Sequence, residues 1–133
     1  MRLFRTTSVL AGAVALCSCS LGSGPTDHAP LVAISAPQAD AAVGGIVGID
    51  VAAADDNRVA KVRILVDGTQ LGTDFFFGPF HVTWNTTLLA NGTAHTIRGE
   101  ATDDAGNVGS AEIHVTIQNG PQSPAWQRVS RIP

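Results

Sequence analysis

The chain reads as an all-β protein made of two antiparallel sheets packed face to face, and three observations carry that reading. Apolar residues recur with period two from Leu31 onward. Turn residues punctuate them at short intervals, and no stretch sustains the 3.6-residue period of a helix. About seven strands result, each with one apolar face, and a two-layer sandwich buries such faces against one another.

Val32-Ala33-Ile34 is a short first strand, stopped by Pro37. In the second, Val47, Ile49, Val51 and Ala53 alternate with Gly48, Asp50 and Ala52, and Asp55-Asp56-Asn57 ends it. In the third, Val62, Ile64 and Val66 alternate with Lys61, Arg63 and Leu65. Asp67-Gly68 then makes a tight turn, because Gly tolerates the positive φ that such hairpins require, and a brief strand follows around Gln70 to Gly72. Phe80, Val82 and Trp84 form the next apolar set, with His81 and Thr83 opposite, before the Asn91-Gly92 turn. Ile97, Gly99 and Ala101 alternate with Thr96, Arg98 and Glu100 up to the hairpin Asp103-Asp104-Ala105-Gly106-Asn107. The last strand carries Ala111, Ile113, Val115 and Ile117 on one side and Glu112, His114 and Thr116 on the other. Residues 119–133 hold three prolines and no apolar alternation, so a flexible tail is expected there.

The N-terminus is of a different kind. Arg2 and Arg5 precede the apolar run Ser8 to Leu16, which is far shorter than the roughly 20 residues that span a bilayer. Residues 1–18 therefore read as a secretory signal. Leu16-Cys17-Ser18-Cys19 resembles the lipobox of bacterial lipoproteins, with Leu16 at the aliphatic position, Ser18 before the cut and Cys19 as the acylated residue, although Cys17 departs from the usual second position. The other reading of the same residues is an ordinary signal cut and a soluble secreted protein. Lipidation implies a membrane partner reached through palmitate-type acyl chains, and Ser20 after the acceptor, instead of the Asp associated with inner-membrane retention, favours the outer membrane. Residues 19–30 are small, polar and rich in Gly and Pro, as a mobile linker is, and Ser20 to Pro30 reach at most about 40 Å.

Residues 19–133 suffice for one domain of ordinary size. The whole chain has net charge −3, loss of Arg2 and Arg5 makes it more acidic still, and Lys61 is its only lysine. With no basic patch to neutralise phosphates, a nucleic-acid partner is not expected. Both cysteines lie in or beside the signal, so the domain folds without a disulfide.

Three segments in order, Val62-Arg63-Ile64-Leu65-Val66-Asp67-Gly68, Pro79-Phe80-His81-Val82-Thr83-Trp84-Asn85-Thr86 and Ala101-Thr102-Asp103-Asp104-Ala105-Gly106-Asn107, resemble the bacterial immunoglobulin-like domains of secreted hydrolases, adhesins and surface proteins. The resemblance covers about Pro30 to Gln118. It implies an immunoglobulin-like β-sandwich of Greek-key topology over residues 31–118, serving as a spacer, stalk or binding module without catalytic activity. Two departures stand out: Gly92-Thr93-Ala94-His95 is one residue longer than the usual approach to its strand, and Phe75-Phe76-Phe77 replaces a polar loop.

In such a sandwich the loops carrying Asp55, Asp56 and Asn57 and those carrying Asp103, Asp104 and Asn107 crowd one end. Oxygen donors gathered there suit Ca²⁺, which takes six to eight; equally, Asp and Asn close turns by bonding nearby backbone amides. No calcium-loop spacing is present. Consecutive strand residues point to opposite faces, so at most two of Phe75, Phe76 and Phe77 enter the core from a regular strand, leaving an aromatic for a partner surface or to cover a sheet edge. His28, His81, His95 and His114 lack zinc spacing, and no nucleophile elbow or phosphate loop is present, so no enzyme is expected. Three functional readings remain open: a non-catalytic lipid-anchored envelope module, a soluble module binding carbohydrate or an envelope polymer, and an accessory subunit of a secreted enzyme.

Overall fold

Alternation sets the strands, and the turn residues set where they end. The computed structural model describes residues 26–120, and the expected signal (1–18), Cys19 and most of the expected tail lie outside the described residues. Eight strands form among them: β1 (Leu31–Ala36), β2 (Ala41–Val43), β3 (Ile46–Ala54), β4 (Val59–Val66), β5 (Thr69–Gln70), β6 (Phe80–Asn85), β7 (Ala94–Asp103) and β8 (Val108–Ile117). One sheet has the order β1-β3-β6 and the other β2-β8-β7-β4-β5. The chain passes repeatedly between layers, so that β3 pairs antiparallel with β6 and β4 with β7, strands distant in sequence. This is the expected immunoglobulin-like β-sandwich. At the β4–β5 hairpin Asp67 and Gly68 both take positive φ (50° and 83°), the pair of values that matches the twist of its strands.

One strand differs from the expectation. Ala41-Ala42-Val43 pairs parallel with the end of β8, which moves the chain from the first sheet to the second after β1. Three small residues give no usable alternation, and their partner lies over seventy positions away, so only the folded context makes them a strand.

The expected apolar sets face inward. Val32, Val47, Ile49, Val51 and Trp84 from one sheet meet Val62, Ile64, Val66, Ile97, Ala101, Val115 and Ile117 from the other, all buried. Gly99 sits in this contact, and a Cβ there would lie 3.0 Å from Val51 Cγ1 and 3.3 Å from Val32 Cγ1. On the outer face of the second sheet Arg63 and Arg98 share Glu100, at 2.5 Å and 3.0 Å.

At residue 119, where the tail is expected to begin, the side chain is tied to the sandwich. Asn119 Nδ2 donates to the carbonyls of Thr86 (2.8 Å) and Leu89 (3.0 Å), its Oδ1 accepts the Gly45 amide (2.8 Å), and its own amide donates to Asn91 Oδ1 (2.6 Å). Thr86, fully buried, donates its hydroxyl to the Gly45 carbonyl at 2.9 Å. Asn119 thus joins the start of β3, the β6–β7 loop and the end of β8. Asn119→Ala leaves those backbone groups without partners, and a loss of about 2–4 kcal/mol is expected, measured as a lower urea midpoint with an unchanged denaturant slope.

Candidate functional site

Two turns and the incoming chain meet at one end of the sandwich. In the β3–β4 loop, Asp55 Oδ2 accepts the backbone amides of Asn57 (3.2 Å) and Arg58 (3.1 Å). In the β7–β8 hairpin, Asp103 Oδ1 accepts the amides of Ala105 and Asn107, both at 2.8 Å, and its Oδ2 accepts Asn107 Nδ2 at 2.8 Å. Both acids therefore close their turns in the way Asp side chains do. Asp55 also has capacity to spare: its Oδ1 is buried and has no donor among the described residues.

A third carboxylate arrives from the linker. Asp27 accepts Asn107 Nδ2 at 3.1 Å and also a hydrogen bond from Asn57 Nδ2. One oxygen from each of Asp27, Asp55 and Asp103 lies within 4.8 Å of the others. Three carboxylates this close repel, and the amides of Asn57 and Asn107 offset part of that by donating between them. Turned over, either amide would present its oxygen, and the set would become the hard-donor cluster that a Ca²⁺ ion takes. Asp56 and Asp104 face away. Asp56 receives His28 at 3.0 Å, and Asp104 lies 3.6 Å from Arg58. The His28 contact lowers the Asp56 carboxyl, and the same hydrogen bond raises the His28 imidazole. Asp27 gave no sequence signal, because a lone Asp in a Gly- and Pro-rich stretch looks like any solvated linker residue.

Asp103 is 3% exposed. Burial pushes its carboxyl up, but the hydrogen bonds from the Asn107 side chain and the hairpin amides outweigh burial and hold it below the ordinary Asp value.

The phenylalanine run divides by position. Phe75 pairs through its backbone with Val62 (2.8 Å and 2.9 Å) and packs on the core, edge-on to Phe80 with ring centres 6.5 Å apart. Phe76 and Phe77 stand in solvent, 56% and 78% exposed. Among the described residues the histidines join no ligand cluster with the acids: His81 lies 2.6 Å from Asp50, and His95 lies 2.6 Å from Asp67 and edge-on to Trp84.

Residues 30–98 match the family model described as bacterial Ig domain. No curated protein matches the chain. Among solved structures, the fibronectin(III)-like modules of Clostridium thermocellum CbhA align with TM-score 0.58 at 22% identity, over 68% of this chain and 100% of that one. The PKD1 domain of Vibrio anguillarum Epp gives 0.53 at 13% identity, over 71% and 100%. The endo-beta-1,4-mannanase from Thermotoga petrophila gives 0.54 at 16% identity, over 76% of this chain but only 22% of the enzyme. At these identities the likeness is one of fold. Domains of these kinds are typically non-catalytic modules, common in extracellular and envelope proteins.

Because the folded state holds Asp103 below its ordinary value, that carboxylate contributes stability at neutral pH. The contribution is lost as pH falls from the ordinary Asp range through the depressed value. The Asp103 contribution is therefore expected to hold level down to about pH 5 and to decline below it. Asp103→Asn should flatten part of that decline, as read by urea titrations at stepped pH.

Proposed function

The chain belongs to the bacterial Ig domain family, and on that premise we propose that it is a non-catalytic envelope module, held on a membrane by a lipid on Cys19, whose tethered end binds Ca²⁺. The observation that carries the proposal is the attachment of the linker to the sandwich through Asp27. This contact brings the chain leading back to the lipobox-like Leu16-Cys17-Ser18-Cys19 onto the β3–β4 and β7–β8 turns. Ser20 after the acceptor supports the outer membrane as the destination.

The cation reading is supported by Asp55 Oδ1, a buried oxygen without a donor, and by the closeness of Asp27, Asp55 and Asp103. An unpartnered buried acceptor carries a desolvation cost that a bound cation would remove. Such an ion would also fasten the linker to both turns. The alternative use of such modules, sugar binding on a flat aromatic platform, has less support: the described residues contain no tyrosine, and Trp84 is buried.

Two measurements test these readings separately. Labelled palmitate should enter the wild-type protein and be absent from Cys19→Ser; secretion of unlabelled wild-type protein contradicts the anchor. Ca²⁺ at about 100 times its Kd should add about 2.7 kcal/mol of stability, seen as a rise of several degrees in Tm. Asp55→Asn should abolish that rise, and an unmoved wild-type Tm contradicts the cation site.

A further inference from the structure

The large apolar side chains left in solvent are unevenly placed. Leu31, Phe76, Phe77 and Val108 are 77%, 56%, 78% and 54% exposed, and the remaining two, Ile46 and Leu88, are 63% and 96% exposed. Leu31 opens β1 directly after the linker and pairs with Ala54, the last residue of β3. Val108 opens β8, on the far side of the Asp103 hairpin. Pro30 packs against Gly109, where a Cβ would strike the Pro30 carbonyl, so β1 and β8 start side by side at this end. From Phe75, paired antiparallel with Val62, the chain runs back toward the start of β4, and Phe80 joins β3 at Val51. Phe76 and Phe77 therefore lie in the half of the sandwich that holds the linker and the acidic turns. Ile46 and Leu88 lie at the opposite end, where β3 starts and β6 has finished.

We propose that this end docks on a lipid surface of zwitterionic headgroups, with Phe76, Phe77, Leu31 and Val108 entering its interface. The inference rests on the lipid on Cys19 and deepens that reading by assigning the module an orientation. What commits the patch to a bilayer and not to a protein is the chain that leaves beside it. With Asp27 bound to Asn57 and Asn107, residues 19–26 allow at most about 29 Å between the anchor and the sandwich. A patch on this end is brought to the membrane by its own tether, and aromatic and aliphatic side chains partition into the headgroup boundary. The charge on this end selects the surface. Asp27, Asp55, Asp56, Asp103 and Asp104 share it with His28 and Arg58, and an anionic surface would repel that excess of carboxylates.

The test uses the full lipidated chain reconstituted in phosphatidylcholine vesicles, with and without brominated acyl chains. A tryptophan is placed at either end by Phe77→Trp or Leu88→Trp, substitutions at exposed positions that leave the core intact. The emission added by Phe77→Trp over wild type should be blue-shifted and fall about twofold or more with brominated lipid, while that added by Leu88→Trp stays unchanged. Vesicle-bound, palmitate-labelled protein whose Phe77→Trp emission is unquenched, or quenched no more than that of Leu88→Trp, overturns the docking and leaves the anchor standing. Failure of the wild-type chain to take up palmitate overturns both.

Discussion

The contact between the two sheets, with Gly99 of one lying against Val51 and Val32 of the other, is the constraint on which the remaining features depend. No cysteine lies among the described residues, so burial of one apolar face per sheet must hold the layers together. Burial of this kind is worth roughly 25 cal/mol per Å² of apolar surface. It is non-directional, which leaves the register of the layers to shape. A glycine opposite two valines lets the sheets approach, and the isoleucines Ile49, Ile64, Ile97 and Ile117 fill the space around them completely enough to be wholly or almost wholly buried. A side chain at Gly99 would have to push β3 or β1 outward, and with them the loops that carry Asp55 and the linker.

Each end of the sandwich is then closed by polar bonds. At one end Asn119 satisfies backbone groups that no strand reaches, and Thr86 does the same from inside. At the other, Asp55 and Asp103 close their turns while Asp27 crosses between them through Asn57 and Asn107. The second closure differs from the first in gathering three carboxylates, whose mutual repulsion a bound cation would relieve. The proposed Ca²⁺ site and the proposed membrane-facing end are two consequences of that placement, one electrostatic and one apolar.

The sheets were legible in the sequence wherever burial is one-sided. β3, β4, β7 and β8 alternate cleanly because each has a core face and a solvent face, and Asp67-Gly68 marks its hairpin by the conformation it requires. β2 was not legible, because a three-residue strand defined by a parallel partner at the far end of the chain has no local pattern. Asn119 looked like the start of a tail for the same reason: its partners, Gly45, Thr86, Leu89 and Asn91, are assembled only by the fold. Of the acidic group, the meeting of Asp55 with Asp103 followed from loop positions in an immunoglobulin-like sandwich, whereas the part played by Asp27 depended on where the linker lies. Within the phenylalanine run, alternation correctly required that some ring be left outside, but the identity of Phe75 as the inward one came from its pairing with Val62.

On the proposed docking, the sandwich stands on its tethered end. Neutron reflectivity of the lipidated protein on a supported phosphatidylcholine bilayer measures that directly. An upright sandwich touching the headgroups predicts a protein layer about 35 Å thick, the length of the ten-residue β8 at ~3.4 Å per residue, with no water layer beneath it. A hydrated gap of tether length between headgroups and protein would contradict it.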